Sequence, residues 1–482
     1  SKILSSKISF PNHIRQENWN NNNLYLAMLT KNNKVYDFPN AIIRVQSLNI
    51  KEFQNRLKKS GLELTDLELI SIKNQLIDDL NFLYKLNEDI KINPNLKMVF
   101  KKEDQPEDIK FREIIGRNLP MEATPHAAEI KKNIPIYDIS LLKNAFNDEG
   151  SKSLLMAEWA GVLKDGSGAI VLRNAYQDTS AIDEATKLYE DIIVSEKVNS
   201  EGGADHFAAA GANDRIWNSL QKLCESSPDV FLRYFANEAI QTACEAWLGP
   251  NYQMTAQVNL VRPGGNAQQA HRDYHLGFQT AEMSSLYPAH VHELSPALTL
   301  QGAIAHCDMP VESGPTKLLP FSQSYLPGYA AWRREDFREV FENHYVQLPL
   351  NKGDALFFSP AIFHAAGANI SSNIHRMANL LQVSSAFGRA METIDRAKMC
   401  VLTYPSAAKH FEDQTLSISE IKAAIAATAE GYSFPTNLDN DPPVGGLAPE
   451  TQQALFLRAL ESKMAKAEFE NLLKLMESRK TA

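Results

Sequence analysis

The chain of 482 residues is long enough for about three domains of average size, or for one large β core with helical additions. Its 49 basic and 58 acidic side chains give a formal net charge of −9 with no long basic run, which argues against binding driven by a phosphate backbone. Cys224, Cys244, Cys307 and Cys400 lie far apart and form no CxxC pair, which argues against a disulfide framework or a zinc ribbon. Charges break every apolar stretch before the roughly 18 residues of a membrane span, and SKILSSKISFPNHIRQ lacks the apolar core of a signal peptide. A soluble chain in a reducing, cytoplasmic compartment is expected.

Residues 1–115 are rich in Asn, Lys, Ile and Leu, with an asparagine tract at Asn20–Asn23, and read as a separate helix-rich segment. Thr65 and Glu68 have capping-box spacing, and Leu69, Ile72, Leu76, Leu80 and Leu83 follow at helical steps, predicting one long amphipathic helix. Packing on a neighbour explains such a stripe, while a homo-oligomer or a protein partner would use the same face. Between 103 and 135 charges and four prolines mark an irregular boundary region. GAIVLRNA (168–175) reads as a strand, followed by a helix around Ile182 to Ile192 and a Gly/Ala-rich loop, EGGADHFAAAGAND. Helices are expected over 213–225 and 228–247, the second stopping at Gly249-Pro250.

From 251 the chain shifts to short β-like runs: YQMTAQVNLV, ALTLQGAIAHC, TKLLP, HYVQLPL, DALFFSP and RMANLLQVSSAF. Turn signals separate them, which predicts a sandwich or barrel. After 410 the pattern is helical again, with a capping box at Ser417 and Glu420 and a further helical region from Pro449 to Lys480.

The chemistry concentrates in QQAHRDYH (268–275). His271 and Asp273 are two apart, so on a strand both would share one face. His364 follows 91 residues after Asp273, behind a strand-like run, and Arg376 opens the next strand 12 residues later. Two histidines and a carboxylate on one face of a metal leave three positions open, the arrangement of non-haem iron(II) oxygenases. An arginine nearby supplies a fork for a carboxylate. HxD alone is weak; its order with a distant His and then Arg is what carries weight.

Residues 153–405 resemble the phytanoyl-CoA dioxygenase family of iron(II)- and 2-oxoglutarate-dependent oxygenases. The matching text is GAIVLRNAYQD, the HRDYH segment, MPVESGPTKLLPFSQSYLPG, and KGDALFFSPAIFHAAGANISSNIHRMANLLQ. The resemblance implies a mainly β fold with helical additions: a double-stranded β-helix, or jelly roll, over 116–410, flanked by the segment 1–115 and a helical region, 411–482, packed on the core. It implies that His271, Asp273 and His364 bind Fe(II) and that Arg376 pairs with the far carboxylate of 2-oxoglutarate, with O2 as the second cosubstrate. Thr316, Gln269 or Gln268, and Asn259 are further candidates for contact with 2-oxoglutarate; strand parity prefers Gln269 of the two glutamines. The carboxylate of Asp273 disfavours halogenation, which uses a small residue at that place. Hydroxylation of a small lipid-like, organic-acid or secondary-metabolite substrate is the expected outcome.

The chain departs from the pattern at Pro320-Phe-Ser-Gln323, where many relatives have Pro-Gly-Ser-His. Arg272 should turn away from the metal. His275, His290, His292 and His306 are expected in surface or supporting roles rather than at a second metal, and His206 near the mouth of the site. Two other classes compete: a non-oxidative, metal-dependent cupin-type enzyme, which Arg376 argues against, and a binding protein that acts through residues 1–115.

Overall fold

The computed structural model describes residues 42–43, 45–47, 49–58, 64–89, 99–100, 108–199 and 211–482. Contacts divide the chain into two units, Ser1–Leu96 and Lys97–Ala482. In the first unit a helix at Ile50–Lys58 precedes a long one at Asp66–Asp89. The capping box that opens the long helix is formed: the Thr65 amide donates to Glu68 Oε2 at 2.8 Å and the Glu68 amide to Thr65 Oγ1 at 3.3 Å. Leu69, Leu76 and Leu80 are buried and Ile72 is half-buried, as the helical spacing predicts. The asparagine tract and the Leu83 side chain lie outside the described residues.

The second unit is built on ten strands: β1 (Glu129–Lys131), β2 (Ile134–Asp138), β3 (Ala169–Arg173), β4 (Asn213–Ile216), β5 (Gln253–Val261), β6 (Thr299–Ala305), β7 (Lys317–Leu319), β8 (Ala355–Phe358), β9 (Phe363–Ala365) and β10 (Arg376–Ser384). Eight of them form one sheet in the order β1-β2-β3-β8-β6-β10-β5-β4, and β7 pairs with β9 in a second. All neighbours are antiparallel except β2 and β3. The small sheet is extended by single bridges, His271 to His364 and Leu318 to Val346.

Period-two alternation sorts the large sheet into two faces. Met254, Ala256 and Val258 of β5, Leu300 and Ile304 of β6, Ala355 and Phe357 of β8, and Leu381 and Val383 of β10 pack against helices. Those helices include Glu149–Lys164, Ser180–Asn199, Pro228–Phe235 and Glu238–Leu248, which bring Trp159, Tyr189, Phe231 and Ala243 into the same core. The intervening residues Gln257, Asn259, Gln301, Ala303, Ala378, Leu380 and Gln382 face a cavity instead. Most polar side chains of these strands thus face the cavity, while Asn379 of β10 turns to the helical side and donates to the Tyr234 hydroxyl. Four C-terminal helices, Arg396–Asp413, Ile418–Thr428, Gln452–Glu461 and Lys466–Ser478, close a separate apolar cluster around Tyr404, Phe456 and Phe469. The Ser417–Glu420 capping box is formed.

Four expectations need correction. The fold is mixed rather than mainly β: about half of the residues are helical and 15% lie in strands. The difference comes from the helical layer on the sheet and the C-terminal helices, which bury as continuous a core as the strands do. Residues 213–216 form β4 instead of opening a helix, because they find the open edge of β5, where Asn213 to Ile216 pair with Val261 to Val258. The helix expected over 228–247 is broken at Ala236-Asn237, where the Asn237 side chain accepts the Ile240 amide at 3.0 Å and starts a new helix. HYVQLPL makes only isolated bridges through Val346 and Leu350, since Pro349 has no amide to donate.

Candidate metal centre

His364 lies in β9, directly after the buried turn Pro360-Ala-Ile362, and is 4% exposed. His271 is held opposite it by two backbone hydrogen bonds: the His271 amide donates to the His364 carbonyl at 3.0 Å, and the His364 amide to the His271 carbonyl at 3.2 Å. The expected strand through His271 and Asp273 does not continue past this bridge. The Asp273 amide donates to the Pro360 carbonyl at 3.2 Å, and the chain then turns through Tyr274 and His275, both at positive φ (63° and 38°). Non-glycine residues rarely hold such angles unless their surroundings impose them. Gly277 is required in this turn, because a Cβ there would sit 2.2 Å from the Arg272 carbonyl oxygen.

The three side chains converge, with one ligand atom from each lying within 4.8 Å of the others. His271 Nε2 is 3.3 Å from Asp273 Oδ1, and His364 Nε2 is 3.0 Å from Asp273 Oδ2. Both imidazoles use Nδ1 on a backbone carbonyl, His271 on Gln269 and His364 on Ile362, each at 2.8 Å. Because a carbonyl only accepts, Nδ1 must carry the proton in each ring. In a neutral imidazole that leaves the Nε2 lone pair facing a carboxylate oxygen, acceptor against acceptor. Such an arrangement needs a cation between the groups, and the donor set of two imidazoles and one carboxylate fits a divalent transition metal.

Charge shifts follow the same logic. Burial would raise the Asp273 carboxyl, but the two imidazoles beside it hold it well below the usual range. Burial would lower His271, yet the adjacent Asp273 raises it overall. His364 is lowered, by burial and by the charge of His271. Asp273 is also held by Gln301 of β6, whose amide donates to Oδ2 at 2.6 Å. Nothing in the sequence singles out Gln301; the signal would have been a polar side chain at a cavity-facing position of β6, visible only once the strand register is known.

Arg272 points the other way. It is 1% exposed, donates to the carbonyls of Ser322 (2.9 Å) and Tyr325 (2.7 Å), and lies over the rings of Tyr329 and Phe363 at 4.8 and 5.2 Å. Burial lowers its guanidinium to about 10. It pins the metal-site loop to the turn after β7. Gln323, at the departure from Pro-Gly-Ser-His, does not face the cavity; its amide donates to the Gly166 carbonyl at 2.7 Å.

All eight sequence-derived candidates, His271, Asp273, His364, Arg376, Thr316, Gln268, Gln269 and Asn259, line one cavity of about 660 Å³. Arg376, at the start of β10, donates through Nη1 to the carbonyls of Ser313 (2.7 Å), Gly314 and Gly367. Gly314 has φ +83°, and a Cβ there would fall 2.5 Å from that nitrogen. The guanidinium is thus fixed along one edge while its residue lines the cavity. Asn259, opposite Ala378 in the sheet, has a buried Oδ1 with no hydrogen-bond partner among the described residues. Gln268 exchanges hydrogen bonds with the Ala366 backbone at 2.9 and 3.2 Å, and the Gln269 carbonyl orients His271. Gln268 thus holds the rim of the cavity through both its backbone and its side chain.

Among the described residues, His275, His290, His292 and His306 join no further cluster of metal-ligating groups. His275 Nδ1 lies 3.2 Å from Ser295 Oγ, His290 is exposed, and His292 Nε2 donates to the Ser284 carbonyl at 2.9 Å. His306 is buried on the helical side between Thr186 (2.8 Å) and Tyr234 (2.7 Å). His206 lies outside the described residues. No helix among the described residues is long and apolar enough to cross a membrane.

Comparison with known proteins gives a consistent picture. A stretch of 137 residues is 28% identical to the dioxygenase andF of Emericella variicolor, covering 28% of this chain and 42% of that protein. Among solved structures, the non-heme alpha-ketoglutarate-dependent epimerase SnoN of nogalamycin biosynthesis overlaps with a TM-score of 0.36 at 19% identity, over 50% of this chain and 82% of its own. The carbocyclase SnoK of the same biosynthesis overlaps with a TM-score of 0.33 at 20% identity, over 48% and 83%. Residues 165–378 match the family model for phytanoyl-CoA dioxygenase (PhyH), and this stretch holds all eight sequence-derived candidates of the cavity.

Proposed function

We propose that this chain is an iron(II)- and 2-oxoglutarate-dependent dioxygenase that hydroxylates an unactivated C–H bond of a small molecule. The observation that carries the reading is the pair of Nδ1-anchored imidazoles whose Nε2 atoms face Asp273, in a region matched by the phytanoyl-CoA dioxygenase model. His271, Asp273 and His364 would hold the metal, and Arg376 the far carboxylate of 2-oxoglutarate. Thr316, Gln269 and Asn259 would complete the polar wall around that cosubstrate. Bound iron(II) with 2-oxoglutarate supplies the couple that reduces O2, placing one oxygen atom in succinate and the other in the product while CO2 leaves.

The chain's own residues set the geometry for that chemistry. The carbonyl contacts of Nδ1 direct both Nε2 lone pairs inward, and Gln301 orients Asp273. Phe358, whose ring centroid is 4.7 Å from that of His364, and Met309 and Leu350 make one wall apolar and help exclude water. The two facing sheets are read as the jelly-roll core within residues 116–410, with 411–482 as a supporting helical region and 1–115 as a segment open to self-association or a protein partner.

The test is an anaerobic titration of apo protein with iron(II) and then 2-oxoglutarate. A weak visible charge-transfer band and, on admitting O2, succinate release are expected. Iron bound without that band would favour non-oxidative metal chemistry.

A further inference from the structure

The cavity's charged lining is one-sided. Arg215, Arg272, Arg333, Arg338 and Arg376 face or flank it, and Asp273 is the one carboxylate on it among the described residues. Arg272 is consumed by the Ser322 and Tyr325 carbonyls. A divalent metal, Asp273, Arg376 and a doubly charged 2-oxoglutarate neutralise one another. Arg215 donates to Gln257 Oε1 at 3.2 Å, which leaves Arg333 and Arg338. They are five residues apart, Arg333 just before the helix Glu335–His344 and Arg338 in its first turn, beside Trp332, Gly277 and Phe278 on the cavity wall.

Both arginines have unused donors. Nη1 of Arg333 and Nε of Arg338 are buried and have no hydrogen-bond partner among the described residues. Arg333 Nη2 reaches the Gly277 carbonyl at a long 3.4 Å. Its guanidinium lies over the Trp332 ring at 3.9 Å, which fixes its plane, and the Trp332 ring in turn is 6.4 Å from that of His271. Burial and the nearby Arg338 lower Arg333, and Glu282, which is not on the cavity lining, offsets them only in part. Buried donors on adjacent like charges are costly unless an anion arrives to accept them.

We infer that Arg333 and Arg338 form a clamp for an anionic head group of the substrate, a carboxylate or a phosphate, that holds its apolar part toward the His271–Asp273–His364 centre. Planar guanidinium forks suit either oxyanion. The apolar wall of Phe278, Met309, Leu350 and Phe358 takes the remainder of the molecule. The inference rests on the oxygenase reading of the cavity and adds the class of substrate to it.

The test is calorimetric binding to full-length protein, with iron(II) and saturating 2-oxoglutarate under anaerobic conditions. The probes are octanoate, octyl phosphate and the neutral octanamide. At least one anion should bind about tenfold to a hundredfold more tightly than octanamide, and R333Q/R338Q should abolish that preference. Whichever anion shows the preference identifies the head group. The lysine pair R333K/R338K keeps both charges and should retain most of it, and R338Q alone should lose part, so the clamp is tested even if the double glutamine variant folds poorly. Equal affinities, no binding of any probe, or a preference that survives in R333Q/R338Q would overturn the clamp. Failure of 2-oxoglutarate to bind would strike the oxygenase reading instead, and the anion preference of the variants would still be read.

Discussion

At Asp273 three side chains meet: the His271 imidazole faces one carboxylate oxygen, and the His364 imidazole and the donating Gln301 amide face the other. Asp273→Ala and His364→Ala each remove a ligand from a three-ligand site, and both are expected to abolish the iron–2-oxoglutarate band and succinate release. Gln301→Leu keeps all three ligands but frees the carboxylate to rotate. Loss of such an outer partner weakens metal binding about tenfold to a hundredfold, and an iron(II) titration monitored by the same band would measure it. Arg376→Ala should act on the other component: 2-oxoglutarate affinity falls by roughly 2–5 kcal/mol while iron affinity is kept, as separate titrations would show. The convergence of His271, Asp273, His364 and Arg376 on one cavity was legible in the sequence because His, Asp, His and Arg in that order are chemically restrictive. Gln301 was not, since one glutamine in TLQGAIA has no pattern, and WRRED reads as solvated surface charge until Trp332 and Arg333 are seen against the cavity.

Among the elements, β6 carries function on both faces. Its inner face presents Gln301 to the centre, and just beyond its end His306 enters the helical layer. Asn379 donates to the Tyr234 hydroxyl at 3.1 Å, that hydroxyl donates to His306 Nε2, and His306 Nδ1–H donates to Thr186. Burial holds this imidazole neutral, down to about 3. The unfolded chain, with an ordinary histidine near 6.5, therefore binds the extra proton between those values, and stability rises with pH across that window. Below about pH 6.5 the fold is expected to lose up to ~1.4 kcal/mol per pH unit from this group, with no contribution from it above. Urea midpoints measured from pH 7 to 4 would show the slope, and His306→Gln should reduce it by one proton's worth. β1 and β2 run through the end of the stretch read as an irregular boundary, whereas β3, β5, β6, β7, β8 and β10 were readable from β-branched and aromatic runs. Asn213–Ile216 was not, because only the free edge of β5 decides that it extends rather than coils.

For the molecule as a whole, every residue of the cavity lies in the unit Lys97–Ala482. Deletion of residues 1–96 is expected to leave iron and 2-oxoglutarate affinity within about twofold, since a unit with its own core folds by itself. Anaerobic titration of the truncated protein would check it. The share of helix was the least legible property. Ala-rich and amphipathic stretches were visible one at a time, but the way they line one sheet face and then close a second cluster around Tyr404, Phe456 and Phe469 is a tertiary outcome that local patterns do not specify.

The reciprocal hydrogen bonds between the backbones of His271 and His364 set how the protein depends on its metal. In a zinc finger the ion brings distant ligands together, and a chelator unfolds the domain. Here the peptide backbone has already brought the two imidazoles into register, and the ordering of the chain is charged to the sheet rather than to the ion. Chelation would therefore silence the protein without melting it, and the same molecules would recover when iron returned: availability of the metal would act as a reversible dial on activity rather than on the amount of folded protein.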